Sequence, residues 1–266
     1  MTIGLSTYAF FWRLSDRMPR PLSLTEALAE TRALGVSLFQ ICDHPELERM
    51  STAELRELRT AADGLGLTLE LGTRGLHPDH LRRYLEIARI LGVRLLRSMM
   101  NSGEDRPSLE TAEDRLRTVL PEFAAQGVTL ALETYEQVPT ATLLRLIERI
   151  DSPNLGVCLD PANVVAALEH PVSVVETTAS RVVNVHVKDF AFSRQDGWVG
   201  FTLAGAPLGT GLLDYDHLIR TVDPEARGVN QVIEHWLPWQ GDPATTRLLE
   251  EQWTRHNIEF LKERTS

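Results

Sequence analysis

Cysteine is scarce in this sequence, with only Cys42 and Cys158 among 266 residues. Each sits inside an apolar run that reads as a strand. No disulfide framework is therefore expected, and no thiolate zinc cluster can be assembled. Small buried thiols in a reducing compartment are the better reading, so the expected location is cytoplasmic. Long hydrophobic runs are absent too, since nothing approaches the ~18 consecutive apolar residues of a membrane-spanning helix. The opening Met1-Thr2-Ile3-Gly4-Leu5-Ser6 lacks a basic segment followed by a long apolar stretch, which argues against a secretion signal. Positive charge is in deficit, with 27 Lys+Arg against 37 Asp+Glu and a net charge of −10. That balance excludes a sequence-independent grip on nucleic acid, which needs clustered cations to displace counterions from phosphates. Linkers rich in Pro, Gly or Ser are missing as well, so residues 1–266 read as one domain.

What is present is alternation. The candidate strands are Thr2–Tyr8, Ser37–Cys42, Leu67–Gly72, Arg94–Met99, Thr129–Thr134, Leu155–Asp160, Val182–Lys188 and Gln231–His235. Amphipathic stretches lie between them, among them Leu24–Leu34, Thr52–Leu65, Asp79–Leu91, Leu109–Gln126 and Ala141–Ile150. Ser51 with Glu54 has capping-box spacing, and Gly35, Gly92 and Gly127 stand where helices should stop. Eight such units in a chain of this length predict an α/β fold, a single (β/α)8 TIM barrel. An open doubly wound sheet would favour a glycine-rich first βα turn, which Gly4-Leu5-Ser6-Thr7-Tyr8 does not offer. The segment 190–213 shows no clear periodicity and reads as a long active-face loop or lid carrying Trp198 and Phe201.

In such a barrel the reacting groups sit at the carboxyl ends of the strands. The fifth strand ends Leu130-Ala131-Leu132-Glu133, and the sixth ends Val157-Cys158-Leu159-Asp160, followed by Pro161-Ala162-Asn163. The seventh carries His186-Val187-Lys188-Asp189, and the eighth Val232-Ile233-Glu234-His235. A carboxylate after four apolar strand residues is costly to bury uncompensated. Three acids and a histidine at one depth on neighbouring strands would converge on a point, and like charges that close demand a cation. Oxygen ligands with one imidazole suit a divalent ion.

These motifs, Leu-Glu-Thr, Asp-Pro-Ala-Asn, His-Val-Lys-Asp and Ile-Glu-His, resemble the xylose isomerase-like TIM barrel superfamily. That group holds sugar isomerases and epimerases, hydroxypyruvate isomerase, inosose and 3-dehydroshikimate dehydratases, and class II apurinic endonucleases. The resemblance implies that Glu133, Asp160, His186 and Glu234 bind one divalent ion, Mn²⁺ foremost, with Mg²⁺, Co²⁺ or Zn²⁺ as alternatives. It implies a supporting polar role for Asn163, where many relatives carry histidine, and leaves a homo-oligomer open. The endonuclease branch fits least, because none of the first, third and fourth strands ends in histidine.

A divalent ion on a carbonyl and an adjacent hydroxyl stabilises an enediolate, so a neighbouring proton can leave near neutral pH. Glu133 and Glu234 are the natural acid/base pair, and pure ligation is the alternative for both. Lys188, two residues beyond His186, points into the barrel mouth to hold an oxyanion or protonate a carbanion, unless an acid claims it. Arg74 and Arg97 need anionic partners, either an internal acid such as Glu70 or a substrate carboxylate or phosphate. With Arg194 they make an anionic sugar derivative plausible. Gln40, Asp43 and His44 end the second strand, and His44 and His235 read as non-ligands. Trp12 stands for a set of aromatics (Tyr8, Phe11, Trp198, Trp236, Trp239) expected to line a closed pocket for a small molecule.

Two readings follow from one site. The first is a metal-dependent isomerase or epimerase acting on a small keto-sugar or sugar acid. The second is a lyase using the same enolate. It would be a decarboxylase of a 3-oxo sugar acid such as 3-oxo-isoapionate, a keto-inositol or dehydroshikimate-type dehydratase, or a C-glycoside deglycosidase. A sugar-binding barrel without catalysis would not need the acid cluster.

Overall fold

The computed structural model describes residues 2–264, apart from the side chain of Trp198. Eight parallel strands close into a barrel: β1 (Ile3–Ser6), β2 (Leu38–Cys42), β3 (Thr68–Gly72), β4 (Leu95–Ser98), β5 (Thr129–Glu133), β6 (Leu155–Leu159), β7 (Val182–Val187) and β10 (Asn230–Ile233). The last of these pairs with both β7 and β1, and the ring is complete. The chain is therefore a (β/α)8 barrel. Barrel strands are covered on both faces, which is why they read as nearly unbroken Leu, Val and Ile.

The outer layer is α1 (Leu24–Ala33), α2 (Thr52–Leu65), α3 (Pro78–Leu91), α4 (Leu109–Gln126), α5 (Thr140–Ile150), α6 (Pro171–Thr178), α7 (Tyr215–Val222), the single turn α8 (Pro224–Arg227) and α9 (Pro243–Arg264). Their ends follow local chemistry. Ser23 and Ser51 each make a full capping box with Glu26 and Glu54, and Gly92 and Gly127 end α3 and α4 in the left-handed region. Among the described residues no helix is long and apolar enough to cross a membrane.

Segment 190–213 is structured, contrary to the loop expected. Asp189–Arg194 (β8) and Phe201–Ala206 (β9) pair antiparallel as a hairpin rising from the seventh barrel strand. Its outer half is solvent-exposed on both faces, so no buried stripe marks it in the sequence. Asp189 anchors its base. The buried carboxylate accepts backbone hydrogen bonds from Phe190, Gly209, Gly211 and Leu213 at 2.8–3.0 Å. Gly211 is required there, because a Cβ would fall 2.3 Å from Asp189 Oδ1.

Register also aims the site. The β6–β7 ladder shifts between Val157 and Cys158, so Cys158 pairs with Asn184 after Val157 has paired with Val182. Such a bulge re-aims the side chains that follow it, here Asp160 on one strand and His186 on the other.

Candidate active site

Glu133, Asp160, His186 and Glu234 stand at or just past the ends of four neighbouring strands, β5, β6, β7 and β10. One ligand atom from each lies within 4.8 Å of all the others. Their relative exposures are 3%, 0%, 0% and 3%, so this is charge taken fully out of water. His186 Nδ1 is 3.2 Å from Glu133 Oε1, 3.5 Å from Glu234 Oε1 and 3.9 Å from Asp160 Oδ2. Lys188 Nζ enters the same group, 2.7 Å from Asp160 Oδ2 and 3.1 Å from Glu234 Oε2, with the Trp236 ring centroid 4.4 Å away. Asn163 Nδ2 donates to Glu133 Oε1 at 2.9 Å, and Ser6 Oγ donates to Glu234 Oε1 at 3.0 Å.

The electrostatics divide the carboxylates. Burial works against ionisation of Glu133, but Arg97 and His186 outweigh it and hold the group well below the usual range. Glu234 is lowered in the same way, burial being overcome by His186 and Lys188. Asp160 is raised, because burial is reinforced by the charges of Glu133 and Glu234. Lys188 stays a cation. Burial disfavours its charge, yet Asp160 and Glu234 push its pKa up.

Arg97 does not meet Glu70. Its guanidinium forks onto Asp43 at 3.2 and 3.1 Å, donates to the Thr73 carbonyl at 2.8 Å, and sets Nε 3.0 Å from Glu133 Oε2. Arg74 shares Asp43, with Nε 3.2 Å from Oδ2, and donates to the Tyr8 hydroxyl, which itself donates to Asp43 at 2.9 Å. The two arginines differ in exposure, 2% for the Arg97 side chain and 52% for that of Arg74. A cavity of about 930 Å³ runs past Tyr8, Phe11, Cys42, Asp43, His44 and Met50 and reaches this ion-pair group.

The chain matches a family model described as "xylose isomerase-like TIM barrel" over residues 28–264. The chain belongs to this family. It is 57% identical to the 3-oxo-isoapionate decarboxylase of Pectobacterium atrosepticum over 98% of this chain and 95% of that one. Among solved structures it resembles a D-psicose 3-epimerase from Clostridium cellulolyticum H10, with a TM-score of 0.74, 13% identity and 99% of both chains covered. It also resembles a xylose isomerase-like TIM barrel protein from Mycobacterium smegmatis in complex with magnesium, with a TM-score of 0.73, 17% identity and 97% of both chains covered. At such identities these two show the fold.

The xylose isomerase-like motifs thus meet at one buried point, and the donor set there fits a divalent ion. Three carboxylates and an imidazole converge, and two of the oxygens are left over. Asp160 Oδ2 and Glu133 Oε2 are buried without an aligned hydrogen-bond donor, although Lys188 and Arg97 stand close. Cys42 Sγ also lies within 4.8 Å of His186 and Glu234 ligand atoms, but burial raises its pKa and keeps it a thiol.

Other expected residues lie apart from the cluster. The Trp12 indole donates to the Leu237 carbonyl at 2.7 Å and packs edge-on against Phe11 and Trp239. It borders a cavity of about 240 Å³ shared with Tyr8 and Trp236. Arg194 is exposed on the hairpin with its guanidinium over Phe201. It lies five residues out along β8 from Asp189, about 17 Å at the antiparallel rise. His235 packs against Thr254 and Asn257 of α9, 3.0 and 3.1 Å away, and Trp198 falls outside the described side chains. Sequence reading did not find Ser6 as a partner of Glu234, or Asp43 as the clamp on Arg97. A serine at the end of β1 and an acid at the end of β2 carry no motif.

Proposed function

We propose that this chain is a carbon–carbon lyase that decarboxylates a small 3-oxo sugar acid, 3-oxo-isoapionate or a close analogue. The observation that carries the reading is the state of the two glutamates. Moving a proton between carbons or faces by two bases needs Glu133 and Glu234 available as proton carriers. Glu133 is engaged by Arg97, Asn163 and His186, and Glu234 by Lys188, Ser6 and His186. Neither is a good base. Decarboxylation asks only for charge stabilisation and one proton donor, and Lys188 is a buried ammonium at the cluster. The 57% identical relative named as a decarboxylase supports the same choice over the isomerase.

Glu133, Asp160, His186 and Glu234 would hold the divalent ion, with Mn²⁺ or Mg²⁺ favoured by three hard oxygen donors. It would supply Lewis-acid stabilisation to negative charge growing on a substrate oxygen. Arg74, the exposed cation of the pair, would draw the substrate's carboxylate to the mouth. The bond from the α-carbon to the carboxylate breaks, CO₂ leaves, and the electron pair remains with the α-carbon and its carbonyl. Lys188 Nζ would then give its proton to that carbon and recover one from water. Trp236, against Lys188, would keep bulk solvent from the carbanionic carbon. Cys42 and Cys158 would remain reduced thiols in the cytoplasm.

The test is incubation with 3-oxo-isoapionate in deuterated buffer with Mn²⁺. CO₂ release with one deuterium on the product carbon supports the reading. Deuterium entering a product of unchanged carbon count would replace it with the isomerase.

A further inference from the structure

Beneath the acid cluster the barrel interior holds a polar layer where aliphatic side chains usually pack. Glu70 of β3 is 3% exposed, and three amides converge on it. Gln40 Nε2 and Asn184 Nδ2 donate to its Oε2 at 3.0 and 3.1 Å, and Asn230 Nδ2 donates to its Oε1 at 2.7 Å. Gln40 Nε2 also donates to Asn184 Oδ1 at 3.1 Å. The Gln40 carbonyl oxygen therefore faces the other way, accepting from His186 Nε2 at 2.8 Å and from the Cys42 thiol at 2.9 Å.

We infer that Glu70 is a positioning residue which, through the Gln40 amide, fixes Nδ1 as the His186 nitrogen offered to the divalent ion. A carboxylate accepts hydrogen bonds and cannot give them, so it turns every neighbouring NH₂ toward itself. Flipping the Gln40 amide would set its oxygen against Glu70 and Asn184 Oδ1, and its NH₂ against His186 Nε2. The contacts to Glu70 and to Asn184 Oδ1, both acceptors only, hold one orientation. With an acceptor at 2.8 Å, Nε2 keeps its proton, so Nδ1, which faces Glu133, Glu234 and Asp160, is the nitrogen left to give up its proton and take the ion. Partners of this kind orient a metal-binding imidazole and raise its basicity. The inference rests on the metal half of the proposed function and does not depend on which reaction follows.

The test loads full-length, ¹⁵N-histidine-labelled protein with ¹¹³Cd²⁺ alone and reads which His186 nitrogen couples to cadmium. Mn²⁺ affinity is measured in parallel by titration calorimetry. Coupling through Nδ1, with a slowly exchanging proton on Nε2, is expected in the natural chain. Glu70→Gln and Gln40→Met should each give mixed or Nε2 coupling and weaken Mn²⁺ by about 10- to 100-fold. Gln40→Met leaves two of the three donors on Glu70, so the test survives if Glu70→Gln does not fold. Coupling through Nε2 in the natural chain overturns the inference. So does unchanged Nδ1 coupling and affinity in both variants. Failure to bind cadmium would overturn it together with the metal assignment. Nδ1 coupling without CO₂ release from 3-oxo-isoapionate would sink only the decarboxylase.

Discussion

Lys188 Nζ and Asp160 Oδ2 lie 2.7 Å apart with both side chains out of solvent. The chain has only two lysines, the other being Lys262 near its end, so chemistry directed at amines is easily assigned. A lysine that forms a Schiff base with a 3-oxo acid must be neutral, a state favoured by desolvation beside another cation. Lys188 is instead held as an ammonium by two carboxylates. Borohydride added during turnover should therefore leave the mass of the protein unchanged. Lys188→Met should lower kcat by about 10²- to 10⁴-fold, the usual worth of a placed proton donor. A reduced adduct on Lys188 would replace the proton-donor role with covalent catalysis.

Arg74 and Arg97 share Asp43 but should answer differently to removal. Arg97→Met takes the buried guanidinium away from buried Glu133 and partly buried Asp43, and should cost about 3–5 kcal/mol in denaturant unfolding. Arg74 is half exposed, so Arg74→Met should change stability by about 0.5 kcal/mol or less. If Arg74 contacts the substrate carboxylate, its loss should raise KM about 10- to 100-fold with kcat nearly unchanged, the worth of one charged hydrogen bond. An equal loss of affinity for the carboxylated substrate and for a neutral analogue in Arg74→Met would remove that role.

How far these sites were readable follows from burial. Asp160 and Glu234 stood out in the sequence because an acid after a run of Val, Leu and Ile has nowhere to go but the barrel mouth. His186 and Lys188 shared that signal, two residues apart on one strand face. The Arg97–Asp43 fork was illegible, because β4 and β2 are not neighbours in the ring and the arginine reaches across β3. Glu70, the internal acid expected as an arginine partner, is claimed by three amides that read as ordinary strand polar residues. The hairpin escaped because its exposed outer half leaves no alternating burial for periodicity to detect.

Asp189 offers a separate test of that hairpin. Four backbone amides from Phe190 to Leu213 converge on one carboxylate, and Asp189→Ala leaves all four without it. The expected outcome is faster limited proteolysis within residues 190–213, while the barrel's own melting changes less. Unaltered protection of that segment would mean that β8–β9 pairing suffices to hold it.

Alkaline stability should carry the mark of Tyr215. The buried hydroxyl donates to Gln231 Oε1 at 2.9 Å, and burial pushes its pKa up to about 12. In the unfolded chain it titrates near 10. Between these values the unfolded state has lost a proton that the folded state keeps, so stability falls as pH rises. The loss from this one group reaches about 2 kcal/mol at pH 12 and is small below pH 10. Tyr215→Phe should unfold along a shallower pH slope from pH 10 upward, measured by urea denaturation. Identical slopes would show that Tyr215 ionises freely in the fold.

The acid cluster itself should make stability depend on divalent ions. Glu133, Asp160 and Glu234 repel one another at close range, with Lys188 and His186 between them and Arg97 shared with Asp43. An ion binding only the folded chain stabilises it by about 2.7 kcal/mol at a hundredfold excess over its Kd. For a chain of this size that corresponds to a rise in Tm of roughly 5–10 °C. Chelation with EDTA should reverse the shift and abolish CO₂ release together, since one set of ligands serves both. Glu234→Gln removes a charge from the set at almost constant volume, so it should blunt the Mn²⁺-induced shift while folding normally. If this variant kept both the full shift and full activity, Glu234 would be neither ligand nor part of the reaction, and the centre would have to be redrawn around Glu133, Asp160 and His186.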